Sequence, residues 1–537
     1  MIMKKIYLIL LAAAFVACQP EQITITPEVI NQQEDDGPDD GLGQYSIDSE
    51  DADLTDNDNV GASTFDRWIT IEFGDSKATV SEPGDSVSVG IAGNHVTINN
   101  ESSDRIVYEL KGTATDGSFK LYSARKQALF LNGVSLTNPG GAAINNQSHK
   151  RTFVVVTGSN SLQDGSAYGS AADEDEKAAF FSEGQLVFSG AGTLTVTAVG
   201  KAGITSDDYV RFMSAPTVKV SSSAGHGVRG KDGITLSNGT LTVSVSAATK
   251  DGLSTDGDIL VEGGTTVIKN SGAGGKGIKV DGKGVFSGGS VEVEVSGAND
   301  TAEDSSAKGI KVDGDIEFSG ATVAVSCTHA NGHEAIESKS TITVSAGDVY
   351  AFSRKDDAIN SASTFTITGG MVTGISLGND GLDANGNFNI SGGVVFASGA
   401  KSPEVAIDAN TEQRYILTLT GGTIFAIGGL ERGSTLSQSC YQASSWSTGT
   451  WYTMTVGSSV YSFKTPESGG SGIVVSGASQ PTLVKGGTVS GGTACAAGNI
   501  LVGSTVSGGS SVSLSDYTSS SGGGHGGGPG GGGGRPR

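Results

Sequence analysis

The stretch GKGIKVDGKGVFSG, residues 275–288, returns about thirty residues later as AKGIKVDGDIEFSG, residues 307–320. The shared apolar residue is Ile278 in the first copy and Ile310 in the second. Working outward, the same position is held by Leu253, Val228 and Ile204 on one side and by Ile336, Ile359, Leu382 and Ile407 on the other. Neighbours in this series are 23 to 26 residues apart, except for the 32 between Ile278 and Ile310, where Asn299 to Ser306 looks like an inserted loop. A second signature follows in most units: an apolar residue, Ser or Thr, then two glycines, as in Phe286-Ser287-Gly288-Gly289 and Ile390-Ser391-Gly392-Gly393.

A repeat of this length, made of short alternating strands and glycine turns, buries its apolar face only by stacking on its neighbours. Leucine-rich repeats have the length but need a Leu-x-x-Leu-x-Leu frame that is missing, and propeller blades are longer and richer in aromatics. The composition, with 83 Gly, 11 Pro and 6% aromatic residues, also points to an all-β chain. The repeat therefore predicts a parallel β-helix over residues 61–430, each unit one coil, with the Ile204 to Ile407 series stacked inside. Residues 65–200 show the period more weakly and are expected to supply the first coils and a cap. Residues 431–518 read as a small C-terminal β region, and 519–537 as a disordered glycine-rich tail.

The N-terminus reads as a targeting signal over residues 1–17: Lys4 and Lys5 precede an apolar run too short to span a bilayer as a mature helix. Phe15-Val16-Ala17-Cys18 resembles a bacterial lipobox, with Phe15 where Leu is usual, so Cys18 is the expected lipidation site of an outer-membrane lipoprotein, on the periplasmic side or the cell surface, with ordinary secretion as the alternative and export common to both. Residues 18–60 hold thirteen acidic and no basic residues and predict a disordered tether. The whole chain has a formal charge of −23, but without the signal lysines and these acids the body is at about −12, which argues against a nucleic-acid partner. Cys327, Cys440 and Cys495 are widely spaced and suggest no zinc site, while one disulfide among them stays open. Nothing in the chain calls for more than a monomer.

Stacking turns the repeat into columns about 4.8 Å apart. Two residues before the internal aliphatic stand Lys276, Lys308, Glu334, Asp357 and Asp380; one residue after it stand Lys279, Lys311, Glu337, Asn360, Asp383 and Asp408. Basic coils thus precede acidic ones. Stacked carboxylates repel unless a cation lies between them, and Ca2+ takes six to eight oxygens, so Glu334, Asp357, Asp380, Asp383 and Asp408 are candidate calcium ligands. The plainer reading is solvated turn residues. Lys276, Lys279, Lys308 and Lys311 are candidate contacts for anions spaced along a polymer, such as a uronic-acid polysaccharide, or else a lysine and aspartate ladder serving solubility. No Trp lies between Trp68 and Trp446. Trp446, Trp451, Tyr441 and Tyr452 form either a small sugar platform or the core of the C-terminal region.

The units KDGLSTDGDILVEGG, KGIKVDG, KDDAINSASTFTITGG and NDGLDANGNFNISGG, with ALFLNGVSLTN upstream, resemble the bacterial calcium-binding β-helix proteins grouped as carbohydrate-binding domain proteins. That resemblance covers roughly residues 65–430. It implies a right-handed, pectate-lyase-like coil, bound Ca2+, and binding of cellulose or acidic sugars such as polygalacturonate without established cleavage. The family's acids carry over where the D-[GA]-[IL] motif stands, at Asp251, Asp357 and Asp380, with Asp256 and Asp383 downstream; His226, Lys276, Lys308 and Glu334 depart from it. Three functions compete: calcium-dependent glycan binding, a polysaccharide lyase with Lys279 or Lys311 as base, and a surface adhesin or scaffold.

Overall fold

The computed structural model describes residues 58–169 and 174–519, a parallel β-helix with no α-helix among them. The signal segment, Cys18, nearly all of the acidic tether and the glycine tail lie outside the described residues. No helix among the described residues is long and apolar enough to cross a membrane.

Each regular coil has three strands. In the first quoted stretch these are Lys276–Val280, Gly284–Phe286 and Ser290–Val295. Each pairs in parallel with its counterpart one coil on: Lys276–Val280 with Lys308–Val312, and the other two with the single long strand Ile316–Cys327. The motif strands make a 13-stranded sheet. The other two columns merge into a 28-stranded sheet, because strands such as Ile316–Cys327 run round the corner between them.

The predicted internal stack is present. Ile204, Val228, Leu253, Ile278, Ile310, Ile336, Ile359, Leu382 and Ile407 are register partners in order, and all are fully buried. Full burial of such a side chain stabilises by roughly 1.5–3 kcal/mol relative to leaving it exposed. The stack also runs further than the motif does: Val96, Phe119, Ile144 and Phe180 continue it backwards, and Leu430 bridges to Ile407 beyond it. An antiparallel hairpin, Val87–Ala92 with Asn94–Asn100, closes the N-terminal end of this sheet.

The small residue of the motif has a steric cause. A Cβ added to Gly277 would lie 2.1 Å from Val293 Cγ1, so the chain bends there with its inner side packed against the opposite wall. The bend leaves Lys276 and Lys279 both outside while Ile278 points in. In the glycine pairs, the second member has a positive φ, +71° at Gly289 and +77° at Gly393, a conformation that L side chains resist.

The C-terminal region grows out of the helix. Thr423–Ile427 pairs antiparallel with Ile473–Ser476, which pairs with Cys440–Ala443. A six-stranded sheet then packs against the flank of the last coils, where Tyr452, Met454 and Phe463 meet Phe396 and Phe425. Tyr452 is buried and Trp446 donates its indole N–H to Gly470 O at 2.8 Å, so this cluster serves the core of the region. Cys327, Cys440 and Cys495 are free thiols.

Candidate metal centre and charged face

The motif aspartates first serve the coil itself. Asp251 Oδ1 accepts the backbone N–H of Lys276 at 2.9 Å, Asp357 Oδ1 that of Asp380 at 3.0 Å, and Asp380 Oδ1 that of Val405 at 2.6 Å. Each carboxylate thus satisfies an N–H of the next coil at the bend, where leaving a donor unpaired is costly. His226 does the same for Asp251 N through Nδ1. Asp251 is buried and also lies 3.4 Å from His226 Nδ1, and Asp256 is paired with Arg229 at 2.7 Å. The structure therefore separates Asp251 and Asp256 from the acidic coils.

The lysines are stacked as expected, Lys276 beside Lys308 and Lys279 beside Lys311, but they meet different partners. Lys308 is buried, 2.9 Å from Glu334 and in contact with Glu337; the two carboxylates outweigh burial and hold its pKa up. Lys276 lies under the inserted loop, donating to Ser305 Oγ at 2.7 Å and Gly274 O at 3.0 Å. Burial and the charges of Lys311, Lys308 and Lys279 lower its pKa, against the pull of Asp251. Lys279 pairs with Asp281 at 2.7 Å and Lys311 with Asp313. These two face outward and are partly exposed. Of the four, only they are placed to meet a ligand.

Glu334 is likewise spoken for. It lies against His333 at 3.3 Å as well as Lys308; burial works against its charge, but these two cations overcome it and hold the carboxyl at about 2. His333 in turn is pushed up to about 9 by Asp356, 2.9 Å away, and by Glu334.

The remaining acids gather at the C-terminal end of the face. Asp380, Asp383 and Asp408 each offer an oxygen within 4.8 Å of the others. Among the described residues, no Lys, Arg or His forms an ion pair with these three or with Asp357. Burial pushes Asp380 up to about 8, Asp383 to about 6 and Asp408 to about 10, with Glu431 hydrogen-bonded to Asp408 adding to the last. Asp357 is also raised well above its usual value by burial and by the charges of Asp383, Asp356 and Asp380. Asn360 Nδ2 donates to Asp383 at 2.6 Å and to Asp357 at 3.1 Å, tying the two coils together.

Two other groups of three bear comparison. His333, Glu334 and Asp356 contain a protonated imidazole, and Asp175, Glu183 and Asp207 contain the ammonium of Lys177, which bonds Asp175 and Asp207. The group at Asp380, Asp383 and Asp408 holds no such cation. Two oxygens on one Ca2+ at 2.3–2.6 Å can be at most about 5 Å apart, so the spacing and the all-oxygen donor set fit calcium. Glu431 is not singled out by the repeat motif. Its signal was the 23-residue step from Ile407 to Leu430, hidden because Gly428-Gly429-Leu430 lacks the motif acid.

The family model described as carbohydrate-binding domain-containing protein matches residues 92–358. No curated protein matches the chain. Among solved structures, the polysaccharide lyase-like protein from C. thermocellum, a gadolinium derivative, is similar at 19% identity over 55% of this chain and 96% of its own, with a TM-score of 0.36. Residues 92–358, from the capping hairpin through the lysine coils to Asp357, are thus similar to the carbohydrate-binding domain family, and Asp380, Asp383 and Asp408 follow just beyond the matched stretch.

Proposed function

We propose that this is an exported, calcium-dependent carbohydrate-binding protein that recognises acidic, uronic-acid polysaccharides and does not cleave them, held at the outer membrane by a lipid on Cys18. The observation that carries it is the carboxylate group Asp380, Asp383 and Asp408, one buried and two half-buried, with no ion-pair partner among the described residues and aligned on one face with the outward Lys279 and Lys311. The family match over residues 92–358 supports the carbohydrate part. Calcium at the acidic group would supply positive charge for a uronate carboxylate, with Asp380, Asp383 and Asp408 as its protein ligands and Asp357 beside them. The lysines would meet a second carboxylate further along the polymer.

Spacing argues against a lyase. From Lys311 to Asp383 are three coil steps, about 14 Å, whereas abstraction of a sugar proton needs base and metal on the same residue. Lys279 is also a poor base, since Asp281 overcomes burial and holds its pKa up. In a test on the full chain, Lys279→Ala with Lys311→Ala weakens polygalacturonate binding about tenfold and leaves calcium affinity unchanged. Equal polymer affinity in that double variant would remove the lysines from the ligand's path.

A further inference from the structure

Outside the charged face, a cavity of about 350 Å³ lies where the C-terminal region meets the flank of the helix. The register explains its position. The outward column of the last coils reads Tyr350, Thr373, Phe396 and Phe425, and the neighbouring column carries Phe352 and Ile375. The six-stranded sheet covers this apolar flank at Phe396 and Phe425. One coil earlier the partners of Tyr350 and Phe352 are Ala324 and Ser326, so the aromatic flank ends at those two rings. The cavity is the gap left between them and the edge of the C-terminal sheet.

Its polar groups come from both sides. Arg354 follows Phe352 on the helix and lies 3.2 Å from Glu467 of the C-terminal region. Lys464, on the facing strand Ser459–Lys464, is exposed and makes no ion pair among the described residues. Asn499 lies 3.5 Å from the Tyr350 hydroxyl. Two cations against one carboxylate leave a net positive charge over an aromatic wall. A ligand that satisfies both has one apolar ring face and one anionic group. We propose that this junction is a second site, independent of calcium, for a single uronic-acid residue at a chain end or branch: the C–H face of the sugar ring lies on Tyr350 and Phe352, and its carboxylate meets Lys464 and Arg354. The choice of a uronic acid rests on the acidic-glycan reading above; the site itself lies partly on residues 431–518, beyond the family match.

The test is ligand-observed NMR of the full chain in chelator with D-galacturonic acid. Binding with Kd on the order of 1 mM is expected for so small a ligand. D-galactose should bind at least tenfold more weakly, and Lys464→Ala should weaken the acid at least tenfold. Glu467→Gln, which frees Arg354, should tighten it two- to threefold. No binding in chelator, or equal binding by Lys464→Ala, overturns the site. Polymer binding in calcium is read separately: its loss with galacturonate binding retained would refute the charged-face function and leave the junction site standing.

Discussion

At Asp383 and Asp408, burial holds protons on carboxyl groups that would be ionised in water. Both pKa values are raised in the folded state, so the stability tied to these protons is complete below the unfolded value near 4 and is lost as pH rises through about 6 for Asp383 and about 10 for Asp408. His333, raised to about 9, acts in the same direction above its unfolded value. Metal-free protein is therefore expected to lose thermal stability between pH 6 and pH 9, measured by calorimetry in chelator. Calcium should raise the midpoint, and more at pH 8.5 than at pH 5.5, because protons compete with the metal. A calcium effect that grows on acidification would contradict this. Asp383→Asn removes a charge that partial burial disfavours, so at pH 8 in chelator it should stabilise by on the order of 2 kcal/mol, while lowering calcium affinity. An unaltered calcium titration would mean that Asp383 takes no part in holding the metal.

The single coil is the unit of stability. Phe365 and Phe388 stack at 4.5 Å in consecutive coils and both are fully buried. Phe388→Ala should cost about 3–5 kcal/mol, read as a lower denaturant midpoint. At Gly393, with φ +77°, an added Cβ would lie 2.8 Å from Gly369 O. Gly393→Ala should cost about 1–2 kcal/mol or more; a midpoint within error of the parent would show that this turn relaxes freely. This level of the structure was the most legible in the sequence, since Ile278 and Ile310, with the glycine pairs, repeat a steric requirement of every coil. The motif fails at Phe119, Ile144 and Phe180, where aromatic and aliphatic residues fill the same inner position without the Asp-Gly bend, and so the first coils are only weakly legible in the sequence.

For the molecule as a whole, the direction of the charge gradient was legible, but the pairing of each charge was not. Register follows from the repeat, and it put Lys279 beside Lys311 and Asp357 beside Asp380. Which carboxylates find cations depends on diagonal contacts and on the inserted loop: Lys308 reaches Glu334 and Glu337, and Lys276 is covered by Ser305. The motif aspartates also turned out to bond the next coil's backbone, a role that spacing alone cannot separate from metal binding. The C-terminal region packs along the flank, because the outward aromatics Phe396 and Phe425 give it an apolar surface there.

Calcium-dependent binding of an acidic glycan without cleavage is tested by titration of the full chain with polygalacturonate oligomers in calcium and again in chelator, with ultraviolet absorbance followed for unsaturated product. Binding that requires calcium and releases no product is the expected result for the charged face. Polymer affinity that survives chelation in the Lys464→Ala variant, or the appearance of unsaturated product, would contradict it.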